Sequence, residues 1–265
     1  MSPIKLNHLT LFPIPLETVP ATDSAEHATL CAAVLAEANL IFQANQWSSP
    51  KSHAQGLVQT SSLPLDATFH DHVEPDLLKK KKPLDDSIGW HLRTSTFPAD
   101  DEVEGGVEYK HFWEGLGERH AEQEAEYMKS LKIVSLPNSC CLKIYNLPFP
   151  TTNRSFLVHV VVIQTTPVAT TEEPTPLRSF AVITLPVYES TPIKEDKGNV
   201  RGSFVAVDKV KEVRNSEGDL EVVWTSISQS AMCGSMPTSL AERNMPGNMA
   251  SQVALFNHWL MEKWV

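Results

Sequence analysis

Near the end of the chain the apolar residues fall at Met249, Val253, Phe256, Leu260 and Trp264, in steps of four, three, four and four, which trace one stripe of an α-helix. The rest of the chain reads as material for this stripe to pack on. Ahead of it, Pro237 suits a first helical turn with Ser235 as its N-cap. Pro246-Gly247 then removes an amide donor and favours open backbone. The pattern therefore predicts a short helix, a break near Met245 to Asn248, and a longer helix from about Met249.

Upstream, Asp23-Ser-Ala-Glu26 has the spacing of a capping box and precedes Leu30, Val34, Ala38, Ile41 and Phe42. It predicts an amphipathic helix from Asp23 to about Asn45. Trp47 to Asp86 is polar and proline-bearing, as expected for loops between short extended pieces. Gly89 to Phe97 alternates like a strand, with Trp90, Leu92, Thr94 and Thr96 on one face and His91, Arg93, Ser95 and Phe97 on the other. Val107 to Leu131 is predicted as a short strand running into a second helix, with Phe112, Leu116, His120 and Tyr127 inward. Strands are expected at Ser139 to Asn146, Ser155 to Thr165, Ser179 to Tyr188, Arg201 to Val213 and Leu220 to Ser228, joined by Pro, Gly, Asn and Ser turns. Consecutive strands with short polar turns imply an antiparallel meander. The order is that of an α+β fold in which helices cover one face of a curved antiparallel sheet. The space between the sheet and the long C-terminal helix is then the default ligand site.

With 265 residues and no visible internal repeat, one domain is expected over 1–265, with a helix and loop-rich extension (1–88) ahead of a core (89–265). Net charge −10 argues against a nucleic-acid surface, which needs clustered Lys and Arg. The basic run Lys79 to Lys82 reads as a solvated loop. No signal-peptide pattern opens the chain, and its most apolar strand-like segment, Phe156 to Ile163, falls far short of the roughly 20 residues of a spanning helix, so stable membrane insertion is not expected. Four cysteines without Cys-x-x-Cys spacing fit a reducing, cytoplasmic setting.

No nucleophile elbow, phosphate loop, zinc-protease motif or dinucleotide fingerprint is present, so neither a metal nor a nucleotide cofactor is expected. His70-Asp-His72 with Glu74 and Asp76 lacks the fixed ligand spacing of a metal site. Vicinal Cys140-Cys141 lie in a strand, where alternation separates the thiols. His159 is the clearest polar residue inside an aliphatic strand and is the candidate acid, base or carbonyl-orienting group; the alternative is a histidine satisfied by a cross-strand carbonyl or facing solvent. Tyr145, Tyr188 and Trp224 are candidate ligand contacts with an apolar body and a polar tip, and Trp90 and Phe256 candidate apolar walls. Arg154 either binds an anionic group or pairs with a surface carboxylate.

From about Trp90 to Trp259 several pieces resemble the START-like, or helix-grip, lipid-binding domains, and in particular a fungal START-like family of unassigned function. They are Trp90-His-Leu-Arg-Thr-Ser-Thr-Phe97, Leu147-Pro-Phe-Pro150 with Arg154-Ser-Phe156, Val200-Arg-Gly-Ser-Phe204, Met236-Pro237, Glu242-Arg-Asn-Met-Pro-Gly247 and Phe256-Asn-His-Trp259. The resemblance implies a deep cavity under the C-terminal helix, used across the superfamily for sterols, phospholipids, plant hormones and polyketides. The chain departs from the pattern at Ala231-Met-Cys-Gly234, where relatives tend to have an Asp-Gly-Gly turn. Two expectations follow for a small hydrophobic partner. One is a cofactor-independent cyclase of secondary metabolism that preorganises a polyketide or terpenoid; the other is a non-catalytic lipid or sterol carrier.

Overall fold

The structure, a computed structural model, describes residues 3–70, 88–99, 106–148, 150–165 and 177–264. His72, Glu74, Asp76 and the run Lys79 to Lys82 lie outside the described residues. The chain opens with β1 (Ile4–Leu6), β2 (Ile14–Pro15) and the helix α1 (Ala25–Phe42), followed by β3 (Lys51–His53), β4 (Val58–Leu63), β5 (Thr68–His70) and β6 (Trp90–Pro98). A helical segment follows, made of α2 (Tyr109–Phe112), a π-turn over Trp113–Gly117, and α3 (His120–Tyr127). Then come β7 (Leu131–Leu136), β8 (Cys140–Tyr145), β9 (Arg154–Thr165), β10 (Ser179–Tyr188), β11 (Val200–Arg201), β12 (Ser203–Arg214), β13 (Leu220–Ala231) and the terminal helix α4 (Thr238–Trp264).

Nine strands form the antiparallel path β3-β4-β6-β13-β12-β10-β9-β8-β7, with β11 added to β9 and β2 to β10. Register puts Trp224 opposite Ser95, Asp208 opposite Ser226, and Lys143 opposite Phe156. Because alternate residues share a face, one set of side chains from each strand points toward α4 and the other away from it.

Both faces are covered, where the sequence pattern predicts helices on one only. α1 lies on the outer face, its Cys31, Val34, Ala38 and Ile41 packing with Trp90, Val161, Ile183, Leu185, Val205, Val207 and Ile227. Its N-cap is Ser24, whose Oγ accepts from the His27 amide at 3.0 Å, one residue beyond the expected Asp23. By length and composition α1, with mean hydropathy 1.2, is also long and apolar enough to cross a membrane, a property the strand-centred reading of the sequence missed.

Two further differences concern elements near the cavity. Val107 does not start a strand; its amide donates to the Pro98 carbonyl and the chain goes straight into α2. The strand lies instead at β7, which pairs with β8 as a hairpin. α4 runs unbroken through Pro246. A proline inside a helix costs about 3 kcal/mol, so tertiary contacts must hold the turns before it. They do: the Glu242 carboxylate accepts from the Gly89 amide at 3.1 Å and sits 3.1 Å from His91 Nε2.

The stripe behaves as its spacing predicts, with Met249, Val253, Phe256 and Leu260 buried. The second half of α4 rests on an aromatic core of Phe97, Phe112, Tyr127, Trp224 and Trp259. Gly115 permits this close packing, since a Cβ there would lie 2.7 Å from Phe256 and 2.8 Å from Trp259. Residues of the first half, among them Met245 and Met249, face a cavity instead.

Candidate functional site

Under that first half, residues of α3, β8, β9, β10, β12 and β13 enclose a cavity of about 350 Å³. Leu116, Met128, Phe156, Phe204, Met245 and Met249 supply apolar lining. Leu255, which also lines it, is 43% exposed and marks where the cavity meets solvent.

One wall is polar. His120 and Glu124 are four residues apart on α3 and therefore share a face, and Lys143 and Tyr145 are two apart on β8 and do the same. The two pairs converge. Lys143 Nζ donates to Glu124 Oε2 at 2.5 Å, and His120 Nε2 is 3.9 Å from the same oxygen. Burial alone would raise the Glu124 pKa, but the charge of Lys143 and the neighbouring His120 outweigh it and hold the carboxyl below its usual range. Burial likewise opposes the Lys143 charge, yet Glu124 keeps its pKa above the ordinary lysine value. The pair is therefore ionised at neutral pH.

The tautomer of His120 follows from its partner. Nδ1 lies 2.8 Å from the Leu116 carbonyl, which can only accept, so Nδ1 carries the proton. Burial, and then the Lys143 charge, lower its pKa, so the ring is neutral and Nε2 is a bare acceptor. Tyr127 and Tyr145 are the opposite case. Burial and then the Glu124 charge push both phenols well above their usual value, leaving them as O–H donors. The Tyr127 hydroxyl is buried without a hydrogen-bond partner among the described residues.

A second charge pair sits across the cavity. Asp208 Oδ1 accepts from Trp224 Nε1 at 2.8 Å and from Arg93 at 3.2 Å, and the guanidinium stacks 3.8 Å over the Trp224 ring. Arg93 is fully buried and also donates to the Met249 carbonyl at 3.4 Å, tying β6 to α4. Every charged group on the lining thus has a counter-charge beside it.

Of the residues predicted from sequence, Tyr145 and Trp224 line this cavity. The others stand elsewhere. His159 faces the outer side, where its Nε2 lies 3.2 Å from His27 Nε2 and its Nδ1 3.7 Å from Cys140 Sγ. It is a partnered core histidine under α1, with its pKa pushed down to about 4 by burial and by His27. Trp90 is also on that outer face, packed in the α1 core. Phe256 is in the solid aromatic core, and Tyr188 ends β10 beside Pro15. Arg154 is buried and donates to the carbonyls of Met232, Cys233 and Thr152. It staples the Ala231-Met-Cys-Gly234 turn, in which Cys233 and Gly234 have φ of 53° and 69°, and so sets where α4 begins.

Sequence reasoning placed His120 inward and named Tyr145 but missed Glu124 and Lys143, although a signal existed. Lys143 stands inside Cys-Cys-Leu-Lys-Ile-Tyr, as conspicuous in its strand as His159 in its own. Among the described residues no group of His, Cys, Asp and Glu is placed to hold a metal ion.

Residues 90–260 match the model of a family described as "Protein of unknown function (DUF3074)". No curated protein matches the chain. Among solved structures, human StAR-related lipid transfer protein 5 is similar with a TM-score of 0.57 at 12% identity, over 89% of this chain and 96% of that one. Human STARD10 is similar with a TM-score of 0.57 at 10% identity, over 93% of this chain and 83% of that one. At such identities the likeness establishes the fold, a START-like helix-grip.

Proposed function

We propose, for a chain that belongs to the DUF3074 family of proteins of unknown function, that it binds one small, neutral, largely apolar molecule in the cavity beneath α4. The observation that carries this reading is the lining itself: apolar side chains share the space with neutral polar ones, while Lys143 with Glu124 and Arg93 with Asp208 leave no net charge to recognise an ion. At about 350 Å³ the cavity sits near the lower end of the roughly 300–1,000 Å³ of small-molecule sites. That size favours a compact natural product over a two-chain lipid. The name of the similar human StAR-related lipid transfer protein 5 supports a hydrophobic ligand of some kind.

Native mass spectrometry of protein purified from its producing organism is the direct test, with Nile red titration as a neutral, apolar stand-in. One bound molecule is expected for the wild type and none for Ala206→Trp, which would fill the space from β12. Equal dye binding by both proteins would put the ligand elsewhere.

A second reading, cofactor-independent cyclisation of the bound molecule, is supported by one observation. A bare imidazole nitrogen at His120 faces the same space as the Tyr127 and Tyr145 hydroxyls, a proton acceptor beside two hydrogen-bond donors that could polarise a bound carbonyl. Orientation in an enclosed cavity would supply the rest of the barrier lowering. His120→Asn should then abolish turnover of a bound precursor while leaving Nile red binding intact; unchanged turnover would remove His120 from the chemistry.

A further inference from the structure

We infer that the cavity is shaped for a ligand carrying several oxygen atoms along its length, rather than for a hydrocarbon with one polar end. This rests on the binding reading above. The observation is a row of hydroxyls on β13. Ser226, Ser228 and Ser230 follow Trp224 at every second position, so all face the cavity, and together they span about 14 Å of strand.

Ser226 and Ser228 are buried as residues, as is Thr184 on β10, and all three line the cavity. Tyr127, 4% exposed as a residue, also contributes its hydroxyl to the lining. Hydroxyls on a cavity wall that bond to no neighbouring side chain are satisfied by what the cavity holds. A serine hydroxyl can donate and accept, and a neutral tyrosine can donate, so the complement is a mixture of hydroxyl and carbonyl oxygens. The pairing of both charges argues against an anionic occupant. Water is the competing occupant, since it also offers oxygens at any spacing.

A matched pair of probes separates these cases: resveratrol, a trihydroxystilbene, and trans-stilbene, the same skeleton without oxygen. Their dissociation constants are measured by quenching of tryptophan fluorescence, for the wild type and for Ser226→Ala/Ser228→Ala. We expect the wild type to bind resveratrol at least tenfold more tightly than stilbene, and the double variant to lose most of that preference through weaker resveratrol binding, with stilbene binding and thermal midpoint unchanged. Equal or tighter stilbene binding by the wild type would overturn the inference and leave the row to water. A preference that survives in the double variant would also overturn it. If the wild type binds Nile red but shows no preference, only this inference fails; if it binds neither Nile red nor either stilbene, the binding reading falls with it.

Discussion

Lys143→Met is the perturbation whose outcome the cavity wall most sharply determines. Lys143 and Glu124 are 2% and 4% exposed, and the lysine donates the shortest contact the carboxylate receives. Removing one partner of a buried pair leaves the other uncompensated, at a cost of about 3–5 kcal/mol against a total stability of roughly 5–15 kcal/mol. The pH dependence gives a sharper signature than the loss itself. In the wild type Glu124 titrates below its unfolded value, so its contribution is present above that value and disappears as pH falls through the folded pKa. Without Lys143 the main opposition to burial is gone and the folded pKa rises above the unfolded one. The sign then reverses: the variant loses stability as pH rises from about 4 toward 8, where the wild type does not. The assay is urea unfolding followed by tryptophan fluorescence and circular dichroism at several pH values. Lys143→Met/Glu124→Gln should return to within about 1 kcal/mol of the wild type and flatten the variant's slope. A single variant that loses less than about 1 kcal/mol at pH 7, with the wild-type pH slope, would refute the reasoning and mean that the pair is solvated inside the cavity.

Three other expectations test the frame around the site. His159 is neutral in the fold and titrates at about 4 rather than 6.5, so lowering the pH from 6.5 to 4 should remove roughly 3 kcal/mol of stability, and His159→Gln should flatten that part of the profile in urea melts. The Glu37 carboxylate accepts from the amides of Asn7, His8 and Leu9 at 2.9, 3.1 and 2.8 Å; Glu37→Ala should cost about 2–3 kcal/mol and accelerate amide exchange at these three residues ahead of the rest of the protein. Gly115→Ala should cost about 1–3 kcal/mol by forcing Phe256 and Trp259 off their positions, whereas Gly247→Ala, in a helix with open space at the Cβ, should gain up to about 1 kcal/mol; thermal melts of the two variants check both.

Much of the fold was legible because its signals are local. The spacing of Met249, Val253, Phe256 and Leu260 located the buried face of α4, and the alternation of Gly89 to Phe97 separated its two faces correctly, since His91, Arg93, Ser95 and Phe97 all point inward. What was not legible is non-local. Pro246 breaks a helix by propensity, and only the Glu242 contacts with Gly89 and His91, more than 150 positions away in sequence, keep α4 continuous. β7 was lost because Leu131-Lys-Ile-Val-Ser-Leu follows α3 without a turn signal strong enough to separate them. The cover on the outer face was lost because an amphipathic helix does not announce which side of a sheet it will take.

That last point also decides the site. One rule, a polar residue inside an apolar strand, selects both His159 and Lys143, and nothing in either strand alone ranks them. Register does. Cys140 is paired with His159 and Lys143 with Phe156, so the two polar residues fall on opposite sides of the sheet. On the outer side α1 arrives with His27 and Cys31, and the histidine is sealed by partners of its own kind. On the inner side residues of the first half of α4 line an open space, and Lys143 meets Glu124 at its edge. The same chemical anomaly therefore becomes core packing in one strand and cavity wall in the next. The difference lies in which helix covers it, and α1 can be assigned to the outer face only once its buried stripe is matched to the strand residues it packs against.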